Sequence, residues 1–285
     1  MKLLSLHAGR LRLDLAPQSG GSIARFIADG SFDLLRPTPD AAVASGQGNE
    51  SSCYPLVPFS GRIAGGRFSF EGAEIVLKPN WPGVRYPMHG DGWAQSWTVE
   101  RSDDHSADLV YQHDARQGWP FRYRARQVFR LDGDTLSVGM SLENLERRAV
   151  PAGMGLHPFF VRDGETTLAC RTQHVWRTDA EVLPIERIAV PSQWDFSTAR
   201  RVDDVAADNA FEGWDGIAAI AWPKRGLGLV MQATRPFGDL VIYIPPGRPY
   251  FCVEPVSHVP GAIGSTRLAA GATLAGEVMF RLVIL

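Results

Sequence analysis

Cysteine is scarce in this chain of 285 residues, and long apolar runs are missing. The three cysteines, Cys53, Cys170 and Cys252, are odd in number, widely spaced and without a CxxC pair. This pattern is typical of reduced thiols rather than of a disulfide framework or a zinc site. No stretch approaches the roughly 20 apolar residues that span a bilayer, and the N-terminal apolar run is too short for a signal peptide. We therefore expect a cytoplasmic protein.

Neither sign of charge dominates. The chain has 29 Lys and Arg against 31 Asp and Glu, a formal net charge of -2. Such a balance gives no electrostatic bias toward nucleic acid or toward an anionic membrane. The arginines at 122, 124 and 126 alternate along a strand-like segment, as residues on a solvated strand face do. We expect neither a nucleic-acid partner nor a membrane partner.

Long helical periodicity is also missing, whereas 29 glycines and 20 prolines separate many short apolar segments. Segments that alternate or are rich in β-branched and aromatic residues predict strands. They lie at 10–15, 121–129, 135–142, 217–222, 227–232, 240–244 and 278–284. Two-residue turns with glycine second, Glu71-Gly72 and Asp132-Gly133, predict hairpins. Without a repeat or a composition shift, the sequence predicts an all-β fold, a large antiparallel β-sandwich forming a single domain over residues 1–285.

Three segments each combine ionisable side chains with aromatic residues, proline and glycine. They lie at 87–93, 155–160 and 250–258, and contain His89, His157 and Glu254 respectively. Loops of this kind commonly carry function on a rigid scaffold. Glu254 ends an apolar strand, where a carboxylate is costly to bury unless it is paired or hydrogen-bonded. Since desolvation raises a carboxyl pKa toward the range of a general base, Glu254 is the candidate base. A salt-bridged structural glutamate is the alternative.

Other side chains are suited to binding a sugar. Arg62, which follows Pro-Phe-Ser-Gly at 58–61, and Asp208, which opens Asp-Asn-Ala-Phe at 208–211, carry the charged groups that hydrogen-bond hydroxyls. Trp81, Trp93 and Trp214 offer apolar faces for a pyranose, although a tryptophan can equally belong to the core.

The remaining histidines have no motif around them. His7, His105, His113 and His174 are expected to be surface or structural residues.

Several chemistries lack their motifs. There is no HExxH, and no cysteine neighbours His89 or His157 in the sequence, so no metal site is expected. A hydrolase nucleophile elbow, GxSxG, is also missing. A glycosidase needs two carboxylates that flank the scissile bond. Glu254 with Asp208 or Asp91 could supply them, so this alternative stays open.

The order of the motifs resembles that of the aldose 1-epimerase (galactose mutarotase) family. After Pro-Leu-Val-Pro-Phe-Ser-Gly-Arg-Ile at 55–63 and a Gly-rich hairpin come Met-His-Gly-Asp-Gly-Trp at 88–93, Gly-Leu-His-Pro-Phe-Phe at 155–160, Asp-Asn-Ala-Phe at 208–211 and Val-Glu-Pro-Val-Ser-His at 253–258. The resemblance extends from about residue 10 to the C-terminus. It implies a galactose mutarotase-like supersandwich with the site in an open cleft on the concave sheet.

The resemblance also implies roles for five residues. Glu254 would be the general base and His157 the general acid, while His89, Arg62 and Asp208 would hold the ring oxygen and hydroxyls of a sugar. The implied reaction opens the ring to the aldehyde and closes it on the other carbonyl face. It requires no cofactor. The expected partner is a small monosaccharide, and the protein is expected to be a monomer or a homodimer.

The chain departs from two branches of the family. Galactose-type members are longer and carry an Asn-His pair before the acid motif, whereas Gly-Met-Gly-Leu-His-Pro stands at 153–158 here. This is more similar to the compact, divergent bacterial branch. Members that act on hexose 6-phosphates typically have an arginine soon after the His-Gly, but Asp-Gly-Trp follows here, with Arg85 just before. We predict a free-aldose mutarotase, with hexose-6-phosphate 1-epimerase and a non-catalytic carbohydrate-binding domain as alternatives.

Overall fold

Strands joined by tight turns make up most of the described chain. A computed structural model describes residues 3–81, 83–116 and 118–285. The strands, in chain order, are β1 (Leu4–Ala8), β2 (Leu11–Ala16), β3 (Ser22–Ala28), β4 (Phe32–Asp33), β5 (Cys53–Leu56), β6 (Arg67–Phe70), β7 (Ala73–Val76), β8 (Thr98–Ser102), β9 (Ser106–His113), β10 (Tyr123–Asp132), β11 (Thr135–Asn144), β12 (Gly155–Val161), β13 (Thr167–Cys170), β14 (His174–Thr178), β15 (Pro184–Ala189), β16 (Arg200–Arg201), β17 (Ala207–Glu212), β18 (Ile217–Trp222), β19 (Leu227–Ala233), β20 (Asp239–Ile244), β21 (Tyr250–Val256) and β22 (Thr273–Ile284).

Helical structure is short. The single α-helix in the described ranges is α1 (Asp40–Ser45). Single 3₁₀ turns cover Gly48–Glu50, Ala64–Gly66, Gly92–Ala94, Ser192–Trp194, Val202–Asp204, Pro223–Arg225 and Ile263–Ser265. None of the helices in these ranges has the length and apolarity to cross a bilayer.

Two large antiparallel sheets face each other. The front sheet has 11 strands in the order β1-β2-β3-β5-β12-β21-β20-β17-β14-β15, with β4 paired to β3. The back sheet has nine strands in the order β16-β13-β18-β19-β22-β11-β10-β9-β8, and β6 and β7 form a separate hairpin. The predicted all-β sandwich of antiparallel sheets is therefore confirmed.

Aromatic side chains pack between the two sheets. Phe280 of β22 contacts Phe26 of β3 and Phe160 of β12, each with 6.3 Å between ring centroids. Burying a phenylalanine of this kind contributes about 1.5–3 kcal/mol. On β10 the buried residues alternate with more exposed ones, which include Arg124 and Arg130. The alternating arginines therefore lie on the outer face of a strand, as the sequence predicts.

One predicted hairpin turn is correct and the other is shifted by one residue. Glu71 and Gly72 have φ angles of 47° and 80°, the positive values that a type I′ turn requires. In the second hairpin Asp132 pairs with Thr135, so the turn residues are Gly133 and Asp134. Gly133, with φ 54°, takes the first turn position rather than the second. Asp132 continues the strand because it still pairs across the ladder.

The central strands β12 and β21 are buried on both faces. Leu156, Phe160 and Phe251 belong to the main core between the sheets. Phe159 and Cys252, which alternate with those residues, belong to a second apolar cluster. Since successive side chains of a strand point to opposite faces, this second cluster lies on the face of the front sheet that points away from the core.

Candidate functional site

Two neighbouring cross-strand rows cover this outer face of the front sheet. The histidine row consists of Tyr54, His157, Glu254, Val241 and Ala210 on β5, β12, β21, β20 and β17. The aspartate row consists of Phe159, Cys252, Tyr243 and Asp208 on the last four of these strands. The pairing of Gly155 with Val256 and of Phe159 with Cys252 sets His157 opposite Glu254. Because residues two apart on a strand share a face, the two rows lie side by side.

A cleft of about 340 Å³ opens above these rows. Its lining includes all five residues singled out in the sequence, Glu254, His157, His89, Arg62 and Asp208. The fold thus brings together residues from three distant motifs, a further loop that carries Arg62 and strand β17 that carries Asp208. Their individual roles remain predictions.

Glu254 and His157 form a close pair in the floor of the cleft. The His157 Nε2 atom lies 3.3 Å from Glu254 Oε1, and the side chain of Glu254 is only 2% exposed. The His157 ring contacts both Tyr54 and Phe159, with centroid separations of 4.6 and 4.5 Å. His157 Nδ1 and Glu254 Oε2 are buried and find no hydrogen-bond partner among the described residues. The two rings fix the imidazole beside the carboxyl group.

Burial shifts both groups of this pair toward their neutral forms. Desolvation raises the pKa of Glu254 well above 4.5; the negative charge of Asp208 adds to this, while Arg62 opposes it. Desolvation lowers the pKa of His157 well below 6.5, and electrostatic interactions with His89 and Arg36 act in the same direction. A pair with two protons or with none carries a net charge, whereas a pair with one proton does not. The site therefore favours the single-proton pair, which can exchange that proton with a bound molecule.

His89 and Arg62 are held next to each other by two interlocked loops. The Gly61 N–H donates to His89 Nδ1 at 3.1 Å, and the His89 N–H donates to the Gly61 carbonyl at 3.0 Å. Since Nδ1 accepts, a neutral His89 ring carries its hydrogen on Nε2. Gly90 permits this approach, because a Cβ atom there would lie 1.9 Å from the Val57 carbonyl oxygen. Burial, with the charge of Arg62, lowers the pKa of His89 and keeps the ring neutral.

A buried polar network anchors the His89 loop from below. Asp91 accepts hydrogen bonds from Tyr123 at 2.5 Å, from His113 Nδ1 at 2.7 Å and from Tyr111 at 2.8 Å. The other nitrogen, His113 Nε2, lies 2.8 Å from the Trp119 carbonyl, so both ring nitrogens face acceptors. Burial alone would raise the pKa of Asp91, but these partners, His113 first, hold it below its ordinary range.

The network bears on two predictions from the sequence: that His113 is a surface or structural residue, and that Asp91 could pair with Glu254 in a glycosidase. His113 is fully buried and structural, and its partner Asp91 is too distant in the sequence to be recognised by a motif. Asp91 is committed to this network rather than to the cleft lining. A glycosidase pair of Glu254 with Asp91 therefore has no geometric support.

The three candidate tryptophans have different surroundings. Trp81 lines the cleft, and Trp93 packs against it at 4.7 Å between ring centroids. Trp214 is buried elsewhere, where its indole donates to the Ile217 carbonyl. Only the first of the three tryptophans presents a face to the cleft.

Asp208 and Arg85 occupy contrasting positions. Asp208 is half-buried in the lining; desolvation raises the pKa of its carboxyl group, while Arg62 opposes the shift. Arg85 is largely exposed and is paired with Glu181, outside the lining.

Comparison with known proteins identifies the family. A family model described as aldose 1-epimerase matches residues 2–278. The chain belongs to the aldose 1-epimerase family. The uncharacterized protein YphB of Escherichia coli K12 is 34% identical over 268 residues, which cover 91% of this chain and 89% of the relative.

Solved structures agree with this assignment. A crystal structure of an aldose 1-epimerase candidate from E. coli K12 is 32% identical, with a TM-score of 0.91 over 100% of this chain and 99% of the other. Galactose 1-epimerase from Lactobacillus acidophilus NCFM is 14% identical but shares the fold, with a TM-score of 0.83 over 100% and 95% of the two chains. The predicted galactose mutarotase-like sandwich is confirmed.

This family member has two cleft features that no sequence motif indicated. The Arg36 guanidinium lies 3.8 Å from the centroid of the Phe159 ring and 4.7 Å from that of Tyr250. Cys252 is fully buried beneath the cleft, beside the His157–Glu254 pair, with ligand atoms of His157, Cys252 and Glu254 all within 4.8 Å of one another. The register of β12 against β21 creates this proximity. Spacing along the chain reveals only that Cys252 and Glu254 share a strand face.

Proposed function

We propose that the chain is an aldose 1-epimerase, or mutarotase, that interconverts the α and β anomers of a free aldose. The observation that carries the proposal is the buried His157–Glu254 pair, 3.3 Å apart, in the floor of a cleft lined by hydroxyl-binding side chains. Opening a pyranose requires removal of a proton from the C1 hydroxyl and addition of a proton to the ring oxygen. A pair that holds one proton supplies both functions.

In the proposed mechanism the single proton of the pair, which burial favours on Glu254, first moves to His157, so the reactive form has Glu254 ionised and His157 protonated. Glu254 takes the C1 hydroxyl proton while His157 donates to the ring oxygen, the C1–O5 bond breaks, and the aldehyde forms. Rotation about the C1–C2 bond presents the other carbonyl face, and closure with reversed proton roles gives the other anomer. The total charge of the pair is the same before and after ring opening. Burial therefore imposes no net charging cost on the step.

The remaining lining residues would orient the sugar. His89 Nε2–H and Arg62 would donate to the ring oxygen or hydroxyls, and Asp208 would accept from a hydroxyl. The face of Trp81 suits the C–H side of a pyranose. General acid–base assistance contributes roughly 10²–10⁴-fold per group, and positioning adds to this. The reaction as written requires no cofactor.

The test is to remove each proton carrier. We expect Glu254→Gln and His157→Asn each to reduce the acceleration of anomer exchange by roughly 10²–10⁴-fold. Polarimetry with freshly dissolved α-anomers of glucose, galactose and arabinose measures this rate. Glu143→Gln, on the back sheet, and His105→Asn, on the surface, are the matched controls, and both should retain the wild-type rate. Wild-type acceleration in Glu254→Gln or His157→Asn would show that the roles are assigned wrongly.

The same assay separates the alternatives. Acceleration restricted to hexose 6-phosphates and lost in Arg85→Ala would indicate a hexose-6-phosphate epimerase. Because Arg85 lies outside the lining, we expect that variant to keep its activity. Calorimetric sugar binding without faster anomer exchange would indicate a binding domain, and release of reducing sugar from an aryl glycoside would indicate a glycosidase.

A further inference from the structure

A nitrogen, a sulfur and a carboxylate oxygen meet in the floor of the cleft. His157 and Glu254 are cross-strand neighbours, and Cys252 lies two residues before Glu254 on the same face of β21. Their ligand atoms lie within 4.8 Å of one another, and all three residues are buried. Imidazole, thiolate and carboxylate are the ligands that Zn²⁺ takes in proteins.

The second observation is that two buried polar atoms of this cluster make no hydrogen bond with the described residues. The Glu254 and His157 side chains are 2% and 9% exposed, yet Glu254 Oε2 and His157 Nδ1 have no hydrogen-bond partner in the described part of the chain. Buried polar atoms normally have partners, and each orphan calls for an explanation. No other described side chain competes for these two atoms. The pair therefore has hydrogen-bonding and ligand capacity that contacts among the described residues leave unused.

We infer that His157, Cys252 and Glu254 form a binding site for a zinc-class divalent cation. The cleft would give the ion an open side for water as the fourth ligand, as in zinc sites with three protein ligands. Bonds of about 2.0–2.3 Å require the widest pair of ligand atoms to close by roughly an ångström. Side-chain rotation supplies a movement of this size.

The ion would inhibit the enzyme, an effect that rests on the proposed function. It would take the electron pairs of both proton carriers, so neither could exchange a proton with the sugar. The ion and the sugar would therefore compete for the cleft.

Binding can be tested without any enzyme assay. Titration of the wild-type protein with Co²⁺ should produce the charge-transfer absorption of a thiolate bound to cobalt. We expect this band in Cys170→Ser, whose cysteine is buried in the back sheet, but not in Cys252→Ser. Calorimetry with Zn²⁺ should show at least the roughly 10–100-fold loss of affinity in Cys252→Ser that loss of even an outer-shell partner causes.

The outcomes are distinct. A cobalt band in the wild type that is lost only with Cys252, and Zn²⁺ inhibition of anomer exchange that EDTA reverses, would support the site. Failure of the wild type to bind Co²⁺ or Zn²⁺ would overturn it, whatever the activity and however well the variants fold. Zn²⁺ binding that is equal in Cys252→Ser and Cys170→Ser would also overturn it. If anomer exchange is absent but the cobalt band is present, the metal site stands and the proposed function fails.

Discussion

A single proton shared by Glu254 and His157 is the chemical centre of the proposed reaction. Neither residue is unusual alone. Their capacity to share a proton arises because both are buried and because His157 Nε2 lies 3.3 Å from Glu254 Oε1. Burial disfavours the pair with two protons and the pair with none, because each carries a net charge. The two macroscopic pKa values of the pair are thereby pushed apart, and the useful form persists over a wider pH range.

The pH dependence of anomer exchange should show this widening. Since burial lowers the pKa of His157 well below 6.5 and raises that of Glu254 well above 4.5, the rate should stay level between an acid limb and an alkaline limb that are moved apart by these shifts. The acid limb, where the pair gains a second proton, should lie below 6.5. The alkaline limb, where the pair loses its proton, follows Glu254. Rates measured from acid to alkaline pH, relative to the uncatalysed reaction, give both limbs.

Two neighbouring charges set the position of the alkaline limb. Asp208→Asn removes a negative charge that raises the pKa of Glu254, so this limb should move to lower pH. Arg62→Gln removes a positive charge that lowers the same pKa, so it should move the limb to higher pH. In the proposed roles both variants would also weaken sugar binding, but the position of a limb is measured independently of the amplitude. Unmoved limbs in both variants would mean that Glu254 does not control the alkaline side.

At the residue level the sequence indicated some members of the site and not others. Glu254 was recognisable because a carboxylate in an apolar strand end demands an explanation. Arg36 was not, because an arginine in a loop is ordinary until the fold places it against the Phe159 ring. Cys252 was classed as an ordinary reduced thiol, since its proximity to His157 depends on strand pairing.

At the level of elements, β5, β12 and β21 form the floor and the loop at 87–91 forms one wall. Backbone hydrogen bonds between paired strands hold the floor in place. The loop of the wall is instead held by side-chain hydrogen bonds, above all those that Asp91 accepts. Removing one partner of a buried ion pair typically costs about 3–5 kcal/mol, whereas an exposed pair contributes about 0–1 kcal/mol.

Asp91→Asn should therefore loosen the wall. We expect a loss of about 3–5 kcal/mol in the free energy of unfolding, faster hydrogen–deuterium exchange at residues 87–93, and a KM that rises more than kcat falls. The matched control is Asp29→Asn, which breaks the exposed ion pair with Arg10 and should leave the free energy of unfolding close to that of the wild type. Similar losses in both variants, or unchanged exchange in the loop, would contradict the anchoring role.

The positions of the strands were predicted better from the sequence than the pairing of the strands within the sheets. Alternation and turn residues predicted most long strands, with ends shifted by a few residues where pairing continues a strand, as at Asp132. The pairing of β12 with both β5 and β21 joins segments about 100 residues apart. Strand register across such separations is set by which face is buried, not by local pattern.

At the scale of the whole molecule, the two sheets have different roles: the back sheet covers one face of the core, and the front sheet carries the candidate site. The back sheet packs against the front sheet through Phe280 and its neighbours, and the front sheet holds ionisable groups on its outer face. The burial that would tune Glu254 for the proposed proton transfer also costs stability, because the folded protein must keep an ionisable carboxyl group in a poorly hydrated position.

This cost should be visible in how the stability of the protein depends on pH. Glu254 has a folded-state pKa raised well above its ordinary value of 4.5. Above pH 4.5 the folded state therefore retains a proton that the unfolded state has lost. Its contribution to stability is complete below 4.5 and is lost as the pH rises through the folded pKa, with a slope of up to about 1.4 kcal/mol per pH unit.

Glu254→Gln cannot ionise and should remove this slope. The difference in free energy of unfolding between this variant and the wild type should shift in favour of the variant as the pH rises from about 5 to 8, since a linked proton contributes up to about 1.4 kcal/mol per pH unit. Urea unfolding at several pH values measures it. Glu143→Gln, whose carboxylate pairs with Arg124 on the back sheet, should run parallel to the wild type. A pH-independent difference for Glu254→Gln would mean that Glu254 is not held protonated by burial. The expected result, a variant that gains stability at alkaline pH while losing anomer exchange, would connect the cost of burying Glu254 to the reaction that this burial makes possible.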